Sequence, residues 1–187
     1  MFFRHVVAVA LCLISANAAA QTFDINLSND AAMLTYMTPL GQQGFGHGQL
    51  EGSVLFTDND NFLADVGLGV VGTAGSGSPG LTAGVGVKLY SVTTKHNDVA
   101  ALALGGQIDY APPVLPRMHL SGAVSLAPSI VTFMDGNQLF DGSVNLGYEI
   151  FQNAIAYFGF RKVKVNIQNG NDVTVDSGGY LGVKFKF

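Results

Sequence analysis

His119, Leu120 and Ser121 follow one another, so in an extended chain the imidazole and the hydroxyl fall on one face and Leu120 on the other. The next extended segment brings Glu149 into the same phase. A serine, a histidine and a carboxylate gathered in this way could activate the hydroxyl for acyl transfer. The simpler reading, preferred here, is structural: His119 pairs with Glu149. The other titratable residues with a shared phase are Glu51, Asp65 and Asp109 among the acids, and Lys88, Arg161, Lys184 and Lys186 among the bases, with Gln107 and Asn145 beside them. Acids and strong bases are matched in number, which points to mutual neutralisation rather than to a reaction centre. His47 lies between glycines and His96 in a polar turn, neither with a metal-ligand neighbour at useful spacing. No Asx-rich turn has the ordered oxygen spacing of a calcium loop. No catalytic residue, metal or cofactor is therefore expected.

These residues must be positioned by strands. The chain has 24 glycines, is 48% hydrophobic, and is only 12% charged, against an average charged content near 25%. Yet after the first twenty residues no apolar run is long enough for a membrane helix, so the apolar residues must alternate. They do so at spacing two in segments of about ten residues, the weak signature of a transmembrane β-barrel. Examples are Phe23, Ile25, Leu27; Leu50, Val54, Phe56; Phe62, Ala64, Val66, Leu68, Val70; and Leu81, Ala83, Val85, Val87, Leu89. Later segments carry Leu102, Leu104, Ile108, Tyr110; Met118, Leu120, Val124, Leu126; and Val144, Leu146, Tyr148, Ile150. Phe158 and Phe160, then Leu181, Val183, Phe185 and Phe187, complete the series. Interleaved glycines would cost about 1 kcal/mol each in a helix interior.

Two kinds of connection take turns along the chain. Asx-rich turns fall at residues 29–30, 58–61, 95–98, 135–137 and 169–172, and Gly/Pro-rich or very short ones at 39–48, 74–79, 112–116 and 152–153. Strict alternation is what an up-and-down meander produces, since successive turns lie at opposite ends. The fold class expected is all-β: a closed antiparallel up-and-down transmembrane β-barrel of 8 to 10 strands, with 10 favoured because single-chain bacterial barrels have even strand numbers.

The first residues read as a signal peptide for export: Arg4 in a short basic region, an apolar run from Val6 to Ile14, and small residues with cleavage signals at Ala18 and Ala20. That run is far short of the ~20 residues that span a bilayer. The expected domains are thus a signal peptide, 1–20, and one barrel, 21–187. Cys12, the only cysteine, lies within the apolar run, so the exported chain is free of thiols. The ending Gly182-Val183-Lys184-Phe185-Lys186-Phe187 resembles the C-terminal signal read by the outer-membrane assembly machinery, carried by Gly182, Phe185 and Phe187, although Leu181 stands where that signal usually has a polar residue.

If the apolar set faces lipid, the charged set faces the lumen. A barrel of this size is largely filled by side chains, and paired charges avoid the cost of an unpaired one in a confined space. A lumen closed by such pairs is expected, with a narrow polar path for a small solute as the alternative. The mild negative charge, −4 overall, argues against nucleic acid as a partner. The expected location is the outer membrane of a Gram-negative bacterium, reached through the periplasm. Expected partners are outer-membrane lipids, periplasmic chaperones, the assembly machinery, and lipopolysaccharide, whose phosphates Lys162 and Lys164 could meet. A bulge near Arg161 would instead turn those lysines inward and Val163 and Val165 outward.

The His-x-Ser of residues 119–121 resembles that of lipid A deacylase barrels. However, His119 follows a Pro-rich connection placed on the periplasmic side, the wrong end for outer-leaflet lipid. Three blocks, Leu81 to Tyr90 (LTAGVGVKLY), Ala101 to Tyr110 (ALALGGQIDY) and Gly179 to Phe187 (GYLGVKFKF), together with the Gly-rich Val66 to Val70, resemble the YfaZ family of predicted outer-membrane proteins. The resemblance implies location and architecture, with no catalytic residues to carry over. The expected function is that of a non-enzymatic outer-membrane barrel, which could engage a small apolar ligand or lipopolysaccharide. The alternatives are a lipid-modifying enzyme and a soluble periplasmic lipid-binding barrel with its apolar face inward.

Overall fold

The computed structural model describes residues 21–43, 46–75, 77–95, 97–167 and 172–187. The expected signal peptide, with Ala18 and Ala20, lies outside the described residues, as does His96. Eleven strands follow in order: β1 (Thr22–Leu27), β2 (Ala31–Gln43), β3 (Gly46–Thr57), β4 (Phe62–Thr73), β5 (Leu81–Thr93) and β6 (Asp98–Tyr110); then β7 (Met118–Ala127), β8 (Thr132–Met134), β9 (Gly136–Phe151), β10 (Ala154–Ile167) and β11 (Val173–Lys186). Neighbouring strands pair antiparallel, and β1 pairs with β11 to close the wall. Because β7 and β8 pair with successive stretches of β6, Leu104–Tyr110 and Val99–Ala101, they share one slot. The barrel has ten strand positions.

Two connections differ from their sequence-based bounds. The chain leaves β7 at Pro128, which has no N–H for the ladder. It then makes a short 3-10 turn, Ser129–Val131, before β8 resumes the wall, so this connection begins well before the Asx cluster at 135–137. At the opposite end, β2 runs on to Gln43 and β3 starts at Gly46, shortening the connection expected over 39–48. The irregularity there is absorbed within β2, where the register shifts between Pro39 and Gln42 and Gly41 has φ +96°.

The alternating apolar set points outward. Leu68, Val85, Leu89, Leu104, Val144, Leu146, Phe158 and Leu181 are each more than half exposed, which is the arrangement of a wall whose solvent is lipid. Toward the end that carries Gln21 and Phe187 this belt ends in aromatic side chains, Tyr110, Tyr148, Phe151 and Phe187, and toward the Asx-rich end in Phe56, Phe133 and Phe140. Aromatic girdles at both interfaces are typical of outer-membrane barrels. The lipocalin-like alternative, with these residues inward, is not the structure. The lumen face has its own small residues where neighbouring strands come close: a Cβ on Gly86 would lie 2.6 Å from the Leu68 carbonyl oxygen and 2.9 Å from Gly69 Cα. Only bare backbone allows so close an approach.

The interior is divided. A second apolar set, out of phase with the belt, is buried at the Asx-rich end: Leu55, Leu63, Val92, Val99, Leu139, Val163 and Val165, none more than 2% exposed, packed with Ala31 and Val175. Side chains from strands all round the barrel meet here, so the lumen is dry and filled at this level. Below it, toward Gln21 and Phe187, the lumen is polar and contains a cavity of about 400 Å³.

Candidate functional site

The polar half of the lumen is built from positions that alternate with the lipid-facing belt. Glu51 on β3, Asp65 on β4 and Lys88 on β5 converge: Lys88 Nζ lies 2.7 Å from Glu51 Oε1 and 4.0 Å from Asp65 Oδ1. The Asp65 side chain is 1% exposed and accepts a hydrogen bond from Ser53 Oγ, but its Oδ1 has no hydrogen-bond partner. The ion pair to Lys88 is therefore what balances it. From β5, Tyr90 reaches across the lumen and donates to Asp141 of β9 at 2.9 Å.

A second cluster gathers around Arg161, which is 3% exposed. Its Nε and Nη2 donate to Asp176 Oδ2 on β11 at 2.8 and 2.6 Å, and Nη1 donates to Asn26 Oδ1 on β1 at 2.9 Å. The Met33 sulfur on β2 lies 2.8 Å from Nη1, and the guanidinium sits 4.9 Å from the Tyr180 ring centroid. Planar, charge-assisted contacts of this kind suit arginine and not lysine. Nearby, Tyr157 donates to Asp24, Lys184 lies 3.9 Å from Asp24, and Tyr180 donates to Asn145. The Tyr157 and Tyr180 rings meet edge to face at 6.0 Å.

His119 does not pair with Glu149. Its Nδ1 lies 3.4 Å from Asp109 Oδ1 on β6, and Ser121 Oγ accepts from Asn145 Nδ2 at 3.4 Å. Glu149 sits beyond the end of β7, where its N–H donates to the Arg117 carbonyl, and it faces Ile155 across a register shift. The three residues thus form no relay: the ring is held by one carboxylate and the hydroxyl by an amide. Among the described residues no group of three His, Cys, Asp or Glu side chains could hold a metal.

The remaining expected site residues fall as follows. Lys186, opposite Thr22, is exposed at the open mouth. Lys162 points outward and is exposed, and Lys164 pairs with Asp172 at 2.5 Å. No bulge turns them inward: Val163 and Val165 stay in the lumen, and the extra residue is Val175 on β11. Phe185 and Phe187 lie outside, stacked at 6.4 Å. Phe187 and Gln21 exchange backbone bonds at 2.8 and 3.1 Å, so the last residue helps to close the wall. Gly182 faces inward against the Tyr157 ring, which leaves no room for a Cβ.

A family model described as "YfaZ precursor" matches residues 2–187. The chain belongs to the YfaZ family. A search of curated proteins gave no match. Among solved structures this YfaZ-family barrel is similar to a KdgM porin, with a TM-score of 0.46 and 14% identity over 90% of this chain and 99% of that one. It is likewise similar to a NanC porin, with a TM-score of 0.46 and 11% identity over 90% and 100% of the two chains. The outer-membrane channel DcaP of Acinetobacter baumannii aligns with a TM-score of 0.45 and 14% identity over 92% of this chain and 55% of that one. The architecture of the YfaZ-family chain is a closed antiparallel β-barrel with an apolar outer belt.

Several lumen residues were not singled out from the sequence: Asp24, Asn26, Tyr90, Asp141, Tyr157, Asp176 and Tyr180. The signal for them is present in the sequence: Tyr90, Asp141, Tyr157, Asp176 and Tyr180 each lie an even number of residues from a charged or amide lumen residue of the same strand, as Asp141 does from Asn145 and Tyr90 from Lys88, and Asp24 and Asn26 alternate with the outward Phe23, Ile25 and Leu27. With them included, inward carboxylates (Asp24, Glu51, Asp65, Asp109, Asp141, Asp176) outnumber the inward strong bases Lys88, Arg161, Lys184 and Lys186.

Proposed function

We propose that this YfaZ-family protein is a non-enzymatic barrel of the Gram-negative outer membrane whose lumen is closed in its resting state. The observation that carries this reading is the buried apolar layer at the Asx-rich end, where Leu139, Val163 and Val165 meet Leu55 and Leu63 from the far wall. Water and ions do not cross a packed apolar layer, because no polar partner replaces their hydration there. Beneath it, the paired charges around Lys88 and Arg161 occupy the mid-lumen. Closure thus has two parts, an apolar plug and ion-paired clusters, where charge alone was expected.

Gln21 and Phe187 lie at the polar-mouthed end, which we assign to the periplasm, leaving the Asx-rich turns outside the cell. On this orientation Lys162 stands at the outer surface, within reach of lipopolysaccharide phosphates. The C-terminal Gly182, Phe185 and Phe187 would serve the assembly machinery after periplasmic chaperones deliver the chain. Against enzymatic activity stands the separation of His119, Ser121 and Glu149, together with their place at the end facing away from outer-leaflet lipid.

The test is conductance of the purified protein in a planar bilayer. Silence is expected, and stable single-channel steps from the wild-type protein would overturn the closed lumen. Separately, lipid A mass spectra should be identical in deletion and overexpressing strains, and a change in acyl chain number would restore the enzyme reading.

A further inference from the structure

The wall is thinnest on the two sides of β1, which has six ladder pairs with β11 at the closing seam and six with β2. β1 contributes only the pairs from Thr22↔Lys186 to Leu27↔Leu181 to the closing seam. Among the described residues, β11 from Val173 to Tyr180 has ladder partners on the β10 side only. A strand edge without a ladder partner is free to separate. The upper halves of β10 and β11 also carry three members of the apolar plug, Val163, Val165 and Val175. Displacing this part of the wall would therefore unseat the plug.

Arg161 stands where the seam ladder stops. Its guanidinium ties Asp176, in the unpaired half of β11, to Asn26, one residue from the end of β1, and touches Met33 on β2. These side-chain bonds bridge the stretch in which backbone bonds are missing. We propose that Arg161, Asp176 and Asn26 form a latch on a gated cation path: with the latch closed the plug is seated, and with it released the upper β10–β11 wall moves and the polar chamber connects both ends. The inference rests on the closed resting state argued above. The solute class follows from charge, since the inward carboxylates exceed the inward bases and release of Arg161 deepens that excess. An acid-lined, low-dielectric passage favours small cations over anions.

The experiment is planar-bilayer recording of wild-type, Arg161→Ala, Asp176→Asn and Asn26→Ala proteins in a KCl gradient, each first checked for heat-modifiable gel migration as evidence of a closed barrel. The wild type should be silent. At least one folded latch variant should show current steps, with open probability raised about tenfold or more, the factor expected from losing one charge-assisted hydrogen bond. Its reversal potential should lie toward that of potassium. Folded variants as silent as the wild type, or a reversal potential toward chloride, would overturn the proposal. So would failure of all three variants to fold, which would make the cluster a structural staple. Steps from the wild type itself would instead refute the closed resting state, and the latch would then be contradicted only if the variants conducted no more than the wild type.

Discussion

Replacing Lys88 by Met removes the cation that stands between Glu51 and Asp65 while keeping most of the side chain's length. The two carboxylates respond differently because of their surroundings. Glu51, 15% exposed, borders the polar cavity and can rehydrate. Asp65, 1% exposed and with Oδ1 lacking any hydrogen bond, cannot. Stripping one partner from a buried ion pair costs about 3–5 kcal/mol. The 4.0 Å approach to Asp65 and the bond it keeps from Ser53 place Lys88→Met near the low end, at about 3 kcal/mol. Asp65→Asn in the same background removes the stranded charge and should recover about 1–2 kcal/mol. The chain has no tryptophan, so urea unfolding in lipid vesicles is best followed by the fraction of heat-modifiable band on a gel. Additivity of the two substitutions within about 0.5 kcal/mol, or a Lys88→Met cost below that size, would show that Lys88 does not balance Asp65.

Other outcomes follow from particular contacts. Leu104→Arg, on the belt at mid-strand, should destabilise the barrel in vesicles by about 2–4 kcal/mol, while Lys162→Ala near the rim should change it by less than about 1 kcal/mol; equal effects in urea titrations would contradict the depth assignment. Gly182→Ala forces a methyl against the Tyr157 ring and should cost about 1–3 kcal/mol, whereas Leu181→Ala, facing outward, should leave more of the folded band. Deleting Phe187 removes its backbone exchange with Gln21 and should lower the yield of heat-modifiable protein in cell envelopes; unchanged yield would show that the closing pair is dispensable. His119→Ala should leave lipid A composition unchanged by mass spectrometry.

The belt was legible in the sequence because lipid and lumen impose opposite polarity on alternate residues, and Phe23, Ile25 and Leu27 or Val85, Val87 and Leu89 keep that period without a break. The ends of the barrel were legible from turn chemistry. The plug was not, because at the Asx-rich end both faces are apolar: Val54-Leu55-Phe56 and Phe62-Leu63-Ala64 are continuous apolar runs, in which period two carries no information. Such runs could themselves have signalled a filled lumen at that level. Membership of the charged lumen set could be read by phase, but partners could not. Asp109 on β6 and Glu149 on β9 both lie diagonally from His119, so register alone does not choose between them, and the ring meets Asp109. Likewise Arg161 finds Asn26 only once the first and last strands are brought side by side, a contact between residues 135 apart in the chain.

Tryptophan placed at Leu104 and, separately, at Gln107 gives two single probes in a chain that has none of its own, one on the outer face and one lining the lumen cavity. Fluorescence quenching by lipids brominated near the centre of the bilayer should be strong for Leu104→Trp and weak for Gln107→Trp in folded protein. A folded Leu104→Trp barrel that these lipids leave unquenched would contradict membrane residence itself.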